Sequence, residues 1–258
     1  MQNSQEHKAL IIARRGLNTD LLIQEVSKNW EVIGVIYENA PSSLEVIRRR
    51  KKKIGFFKTM SQVSFMAFIL PLLSSKKRNA SLISELDLET IELDKSIISG
   101  IDNVNSDQLK EAVKDKKPDI VFINGTRIIS EKTIDILGVP LVNVHVGITP
   151  RYRGVHGGYW ALYDAKPDLF GVTIHYVDKG IDTGKIIDQE VIETSSKDNF
   201  KTYPLLQYMA GVRLIGKNHK LIKEGLSAEP RKLCKKHKLH YHPGFFQYLS
   251  KRISKGVK

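Results

Sequence analysis

The chain has 258 residues, of which 41% are hydrophobic, and it contains a single cysteine. This composition supplies the core of one α/β domain and disfavours long disordered stretches, an internal disulfide and a cysteine-based zinc site. We expect one domain over residues 1–225, a basic extension over residues 226–258, no metal site, and a reducing, cytoplasmic location.

The net charge is +13, and it is concentrated in two segments. Residues 48–78 contain ten Lys and Arg and no acid, and residues 217–258 contain twelve against two acids. An anionic membrane surface or a nucleic acid would attract such segments. We do not expect a nucleic acid, and peripheral contact with an anionic membrane stays open. The longest apolar run, residues 63–73, is too short for a spanning helix, which needs about 20 residues.

The first part of the chain has the pattern of a βαβ unit. Residues 9–13 and 31–37 are apolar runs that predict buried strands, and residues 20–27 between them predict a helix. A βαβ unit implies parallel strands joined by a right-handed crossover. Residues 41–80 then interrupt the pattern as a basic and apolar insertion.

The second part of the chain alternates between strand and helix patterns. Strands are predicted at residues 119–124, 139–145, 172–177 and 185–191, and helices after Ser106, at residues 130–137 and at residues 199–224. The alternation predicts an α/β fold, a Rossmann-like open, mostly parallel sheet with helices on both faces. Such sheets bind ligands beyond the carboxyl ends of their strands, which directs attention to the loops after the first three of these strands.

Three polar residues near those loops suggest chemistry. Asn143 and His145 are two apart on a predicted strand, so their side chains share a face and can donate hydrogen bonds to one developing oxyanion, as acyl transfer requires. Asp182 lies in a turn between Gly180 and Gly184 and can orient the imidazole and assist proton movement if it reaches His145.

Residues 143–154, NVHVGITPRYRG, followed by the turn GIDTG at residues 180–184, resemble the folate-dependent formyltransferase family. That family includes glycinamide ribonucleotide, methionyl-tRNA and nucleotide-sugar formyltransferases. The resemblance implies 10-formyltetrahydrofolate as co-substrate, a small-molecule amine as acceptor, and catalytic roles for Asn143, His145 and Asp182. It also implies a folate site formed by Arg127, Ile129, Val177, Asp178, Gly180 and Asp182. His175, on the strand before the turn, is interpreted as a structural histidine.

Departures from the family pattern bear on the acceptor. The loop after the first strand has only Gly16 where glycinamide ribonucleotide formyltransferases have a Gly/Ser-rich phosphate turn, although Arg14 and Arg15 could contact a phosphate. Residues 225–258 are too few for the β-barrel of methionyl-tRNA formyltransferases, and their aromatic cluster, residues 239–246, could stack on a base or sugar. We expect an amino-sugar nucleotide as acceptor. The alternatives are glycinamide ribonucleotide and a non-catalytic folate- or nucleic-acid-binding module.

The insertion has two interpretations. Basic flanks around a short apolar stretch are typical of a segment that lies in a membrane interface. The other interpretation is a helix buried on the core or in the contact of a homo-oligomer, with solvated charges at its ends. Because Pro71 and the crowded apolar residues do not form a clean amphipathic face, we expect the second.

Overall fold

The computed structural model describes residues 7–85, 93–227 and 238–258. The strands are β1 Lys8–Ala13, β2 Glu31–Glu38, β3 Ile98–Ile101, β4 Ile120–Asn124, β5 Leu141–His145, β6 Arg153–Gly154, β7 Gly171–Tyr176, β8 Ile186–Val191 and β9 Leu239–His240. The α-helices are α1 Leu17–Ser27, α2 Ser43–Ile54, α3 Phe56–Ser64, α4 Lys76–Ser84, α5 Asp107–Lys114, α6 Glu131–Leu137, α7 Gly157–Tyr163, α8 Tyr203–Lys217, α9 His219–Lys223 and α10 Phe245–Lys255.

Seven strands form one twisted sheet in the order β3-β2-β1-β4-β5-β7-β8. The first five are mutually parallel, whereas β7 runs antiparallel to both β5 and β8. The central strand β1 is covered on both faces. Ala9 and Ile11 pack into the cluster that includes α1 and α8, and Leu10 and Ile12 into the cluster that includes α5 and α6. The predicted mostly parallel α/β sheet with helices on both faces is confirmed.

Element boundaries differ from the sequence prediction at two places. Strand β3 was not predicted, since it is an edge strand of only four residues with Ser99 and Gly100 at its centre. The predicted helix over residues 199–224 is shorter and broken. It starts at Tyr203, with Pro204 in its first turn, and Asn218 interrupts it by bonding the Leu214 carbonyl and Asp188. Proline suits the first turn because it has no N–H to satisfy there.

The insertion and the C-terminal extension pack against each other. The helical segment that begins with α3 continues through a π-turn at Phe65–Ile69 and a short 3₁₀ turn at Leu70–Leu72. Phe65 lies 5.0 Å from the ring of Tyr248 on α10, and the Gln62 side chain donates to the carbonyl of His242. Strand β9 pairs with β6 in a second, two-stranded sheet. The described part of the extension, residues 238–258, is therefore integrated with the domain.

No single helix within the described ranges is long and apolar enough to cross a bilayer. One pair of helical segments, Phe56–Leu72 and Lys76–Ser84, passes that test together by length and composition, with a bend of 73° between them.

Candidate active site

Strand β5 carries Asn143 and His145 at the edge where the parallel part of the sheet ends. Both side chains lie on one face, as their spacing predicts. The antiparallel strand β7 places His175 opposite Asn143 and Thr173 opposite His145. The strand-end argument was wrong for β7, because an antiparallel strand has its carboxyl end at the opposite edge of the sheet.

The loop over residues 177–185 nevertheless reaches the site, where Asp182 lies close to both His145 and His175. The Arg153 side chain donates to the carbonyl of Ile181 at 2.8 Å, and the Gly154 N–H donates to Asp182 Oδ2 at 2.7 Å. Asp182 has a φ of 50°, in the left-handed region that Asp tolerates better than most side chains. Strand β6 therefore holds the carboxylate in place.

Asn143 forms a hydrogen bond with His175 across the two strands. Nδ2 of Asn143 lies 3.2 Å from Nε2 of His175, and Nδ1 of His175 lies 2.7 Å from the carbonyl of Tyr176. A carbonyl only accepts, so Nδ1 carries the proton, and in the neutral ring Nε2 accepts from Asn143. The amide orientation follows from this network. It leaves the second N–H of Asn143 available to a ligand.

His145 is buried and held from both sides. Its Nε2 lies 2.7 Å from the carbonyl of Tyr152 and therefore carries a proton, while Nδ1 lies 3.4 Å from Asp182 Oδ2. Burial lowers the pKa of His145, and the charge of Asp182 offsets this only in part. The neutral ring, with Nδ1 free to take up a proton, is thus favoured at neutral pH.

Asp182 is the charged member of the cluster. Burial alone raises the pKa of its carboxyl group, but His145, the neighbouring His175 and the N–H of Gly154 outweigh it and lower the pKa to about 2. Its two oxygens face both imidazoles, with Oδ1 at 3.7 Å from Nε2 of His175. Asp182 is therefore ionised at neutral pH and links the two histidines.

A cavity of about 150 Å³ opens beside this cluster. Its lining includes Asn143, His175 and all six residues predicted for the folate site, namely Arg127, Ile129, Val177, Asp178, Gly180 and Asp182. His145 is not among the described residues that line it, because its ring is turned towards Tyr152. The structure thus brings the predicted residues together. His145 lies behind the cavity wall and contacts one of its lining residues, Asp182. The folate role of these residues stays a prediction.

The guanidinium of Arg127 is already engaged. It lies 2.7 Å from the fully buried carboxylate of Glu38 and donates to the carbonyls of Asn39 and Asp102. The Arg127 backbone N–H also donates to Glu38, at 2.8 Å. Arg127 therefore shapes the wall of the cavity, and its charge is neutralised there before any ligand binds.

The loop after β5 is supported by residues that bear no motif signal. Thr173 on β7 donates to the carbonyl of Gly147 and accepts from the N–H of Thr149. Gln189 on β8 donates to the carbonyl of Thr149, whose peptide bond to Pro150 is cis. A Cβ on Gly147 would come within 2.8 Å of Nε2 of His145 and 2.5 Å of the Tyr152 carbonyl. Only glycine at this position leaves the His145 ring where it is.

Sequence reasoning missed the place of His175 in the site. It was interpreted as structural, yet it lines the cavity and contacts both Asn143 and Asp182. Its two-residue spacing from Thr173 was the only local signal that both face the site. The pairing of His175 with Asn143 depends on the antiparallel direction of β7, which no local pattern reveals.

A second, larger cavity of about 640 Å³ lies between the insertion and the extension. It is lined by Lys53, Lys58, Lys238, Trp160, Tyr241, the buried His240 and other residues, and no described lining residue is acidic. Nε2 of His240 has no hydrogen-bond partner among the described residues. Burial lowers the pKa of His240 to about 4, so its ring is neutral at pH 7. The cavity is basic and aromatic, and it contains an unsatisfied polar atom.

Strand β6 contacts a lining residue of each cavity. Gly154 bonds Asp182 on one side, and the N–H of the next residue, Val155, donates to the carbonyl of His240 on the other. Across the described residues, no group of three or more His, Cys, Asp or Glu is arranged to hold a metal ion.

Comparison with known proteins places this geometry in a family. The sequence profile described as formyl transferase matches residues 8–204, which is more than half of the chain. Methionyl-tRNA formyltransferase of Kosmotoga olearia is 36% identical over 101 residues, which are 39% of this chain and 32% of that protein. Phosphoribosylglycinamide formyltransferase of Bacillus subtilis is 34% identical over 76 residues, 30% of this chain and 38% of that protein. The matched region thus spans about a third of the length of these curated relatives.

Solved structures show the same fold. Phosphoribosylglycinamide formyltransferase of Anaplasma phagocytophilum superposes with a TM-score of 0.56 at 18% identity, covering 86% of this chain and 89% of that one. A sugar N-formyltransferase from a Shewanella species gives 0.56 at 16% identity, covering 91% and 76%. With the profile match over residues 8–204, the conclusion is that this chain belongs to the formyl transferase family.

Proposed function

We propose that this protein transfers a formyl group from 10-formyltetrahydrofolate to the amine of an amino-sugar nucleotide. The observation that carries the proposal is the cluster of Asn143, His175 and Asp182 on the wall of one cavity, with His145 behind Asp182. An amide donor and an ionised carboxylate beside a neutral imidazole are the groups that acyl transfer to an amine requires.

The smaller cavity fits the ring end of a folate. Ile128, Ile129 and Val177 supply apolar surface for a flat ring, and Ile128 is largely exposed at the cavity wall, where a ligand would cover it. Sites for whole drug-sized ligands hold about 300–1,000 Å³. The cavity of about 150 Å³ therefore takes the ring, and the folate tail lies outside.

Formyl transfer makes one bond and breaks one. The acceptor nitrogen bonds to the formyl carbon, the bond from that carbon to the folate nitrogen breaks, the amine loses a proton and the folate nitrogen gains one. The free N–H of Asn143 donates to the formyl oxygen as negative charge develops there. Asp182 receives the proton from the amine, shares it with Nδ1 of His145 behind it, and passes it to the leaving folate nitrogen. In this proposal Asn143 keeps its predicted oxyanion role, and His145 is assigned the proton instead.

The larger cavity supports an anionic, nucleotide-bearing acceptor. The ammonium groups of Lys53, Lys58 and Lys238 suit a diphosphate, and Trp160 and Tyr241 offer rings for a base or a sugar. At about 640 Å³ it has the size of a small-molecule site. Because β6 pairs with His240 on the wall of the larger cavity and bonds Asp182 on the wall of the smaller one, a nucleotide held in the larger cavity can direct its amine towards Asp182.

The N-terminal loop gives less support to glycinamide ribonucleotide as acceptor. Arg14 lies 3.9 Å from Glu38, and the guanidinium of Arg15 stacks 4.0 Å above the ring of Tyr37. Both cations thus have partners within the protein. Gly16 is the only glycine of the loop, so few backbone amides converge there on a phosphate.

An acceptor screen tests the proposal. The purified chain is incubated with 10-formyltetrahydrofolate and either amino-sugar nucleotides or glycinamide ribonucleotide, and mass spectrometry records the gain of one formyl group. We expect gain on an amino-sugar nucleotide, a rate about 10²–10³ lower for Asn143→Ala, and a higher KM for the acceptor alone in Lys58→Ala. Formylation of glycinamide ribonucleotide alone would select the purine alternative. Folate binding with no transfer to any amine would select the non-catalytic module.

A further inference from the structure

The insertion exposes the more apolar side of its helical segment. Along α3 and the turns that follow it, Phe57, Phe68 and Leu72 are 86%, 66% and 79% exposed. Phe56, Met60 and Met66 are exposed as well. Single exposed apolar residues are ordinary, but six in one segment of 17 residues form a patch of the kind that marks an interaction surface.

The opposite side of the same segment faces the protein and is partly polar. Thr59 and Gln62 are buried there, and their side chains bond the carbonyls of Gly55 and His242. Phe65 and Ile69 continue this side into the second apolar cluster of the core. The burial predicted for the insertion is therefore correct for one side only. The side with more aromatic surface has no cover within the described parts of the chain.

Helix α10 presents a similar pair of residues. Phe246 and Ile253 are 78% and 83% exposed, and their seven-residue spacing puts them on one face of the helix. The start of α10 is tied to α3, since the Phe245 N–H donates to Ser61 Oγ at 3.0 Å. Two adjacent helices thus present apolar side chains to solvent.

The chain segments that carry these side chains are basic and contain no acid. Residues 46–84 contain ten Lys and Arg and no Asp or Glu, and residues 238–258 contain five Lys and Arg and no acid. Many of the cations, including Lys52, Lys76 and Lys77, are exposed. An apolar surface between basic segments is complementary to a layer that is anionic at its surface and apolar beneath it.

We propose that this surface, formed by Phe56–Leu72 and α10, docks the protein on an anionic lipid bilayer. Its phenylalanine and leucine side chains insert at the level of the headgroups, and the flanking lysines and arginines contact lipid phosphates. A second copy of the chain is a poorer occupant. A two-fold contact sets the same surface against itself, which would bring the acid-free basic segments of both copies together.

Vesicle flotation of the full chain tests this. We expect the protein to float with vesicles of phosphatidylcholine and phosphatidylglycerol at low salt, to float less at high salt, and to remain unbound with phosphatidylcholine alone. The variant Phe57→Ser/Phe68→Ser/Leu72→Ser should lose at least about tenfold in partitioning. Because all three side chains are exposed, the variant should fold, which circular dichroism checks.

Matched controls distinguish binding through this surface from binding through exposed apolar residues in general and from binding through charge alone. Ile136→Ser and Val191→Ser remove exposed apolar side chains elsewhere and should float as the wild type does. Wild-type protein that stays unbound at low salt would overturn the proposal. So would salt-sensitive binding that the triple variant retains in full, since charge alone would then explain it. Light scattering that shows a dimer of the wild type and a monomer of the triple variant, without flotation, would assign the surface to a second copy instead.

Discussion

The active-site edge of the sheet and the exposed side of the insertion distribute polar and apolar residues in opposite ways. At the sheet edge, His145, His175 and Asp182 are buried or nearly so, and each has a partner within 3.7 Å. In the insertion, Thr59 and Gln62 are buried while Phe57 is exposed. Buried polar groups cost stability unless they are paired, and exposed aromatic groups contribute little to it. The first region therefore pairs its buried polar groups, whereas the second leaves apolar side chains uncovered within the described parts of the chain.

The largest effect should come from the shared carboxylate. Asp182→Asn keeps the shape but removes the charge between the two histidines, so we expect turnover to fall by about 10²–10⁴. The fold should remain, because Gly154 can still donate to the amide oxygen. The measurement is formyl transfer at saturating 10-formyltetrahydrofolate. Turnover within a few-fold of wild type would remove Asp182 from the mechanism.

A second test compares a buried ion pair at the cavity with an exposed pair in the insertion. Arg127→Ala leaves the buried carboxylate of Glu38 without its nearest cation and should cost about 3–5 kcal/mol of unfolding free energy. Arg49→Ala removes a pair with Glu45 whose side chains are both exposed and should cost less than about 1 kcal/mol. Urea denaturation measures both. Equal losses of unfolding free energy in the two variants would contradict the expected difference between a buried and an exposed ion pair.

Acid should destabilise the contact between His156 and His242 before it protonates Asp182. Burial lowers the pKa of His156 to about 3 and that of His242 to about 4, and Nε2 of His156 lies 3.0 Å from Nδ1 of His242. Because their folded-state pKa is below the unfolded value of about 6.5, the unfolded chain binds more protons below that pH. Stability should therefore fall as pH drops from 6.5 to 4. The contribution of Asp182 is lost only between about 4 and 2.

Thermal unfolding against pH measures this difference. In His242→Gln, the melting temperature should depend less on pH between 6.5 and 4 than in the wild type. Asp182→Asn should keep the wild-type slope over that range. If the slope of melting temperature against pH is unchanged in His242→Gln, the contact between His156 and His242 does not contribute to acid sensitivity.

The smallest effect is expected at the exposed apolar surface. Phe57→Ser removes an aromatic side chain that is almost fully exposed, so the free energy of unfolding should change by no more than about 0.5 kcal/mol. Phe65→Ser, eight residues later on the covered side, should cost several times more, because Phe65 packs on Phe200 and Tyr248. Similar losses in both variants would mean that the exposed side is covered within the protein.

The sequence by itself determined the elements that depend on short-range pattern. The apolar run of β1, the Ser130 and Gly138 ends of α6, and the shared face of Asn143 and His145 follow from spacing and local backbone preference. The family motif directed attention to Asp182 for the same reason, because its residues are close in sequence and its turn is bounded by glycines.

Only the tertiary structure decided the direction of β7, the partnership of His175 with Asn143, and which side of the insertion faces solvent. Strand direction is set by pairing between residues 32 apart, and periodicity carries no information about it. A helical segment that is apolar on several sides gives no local signal of which side the core will cover. Contacts with Phe200 and α10 decide that, and they leave Phe57, Phe68 and Leu72 outside.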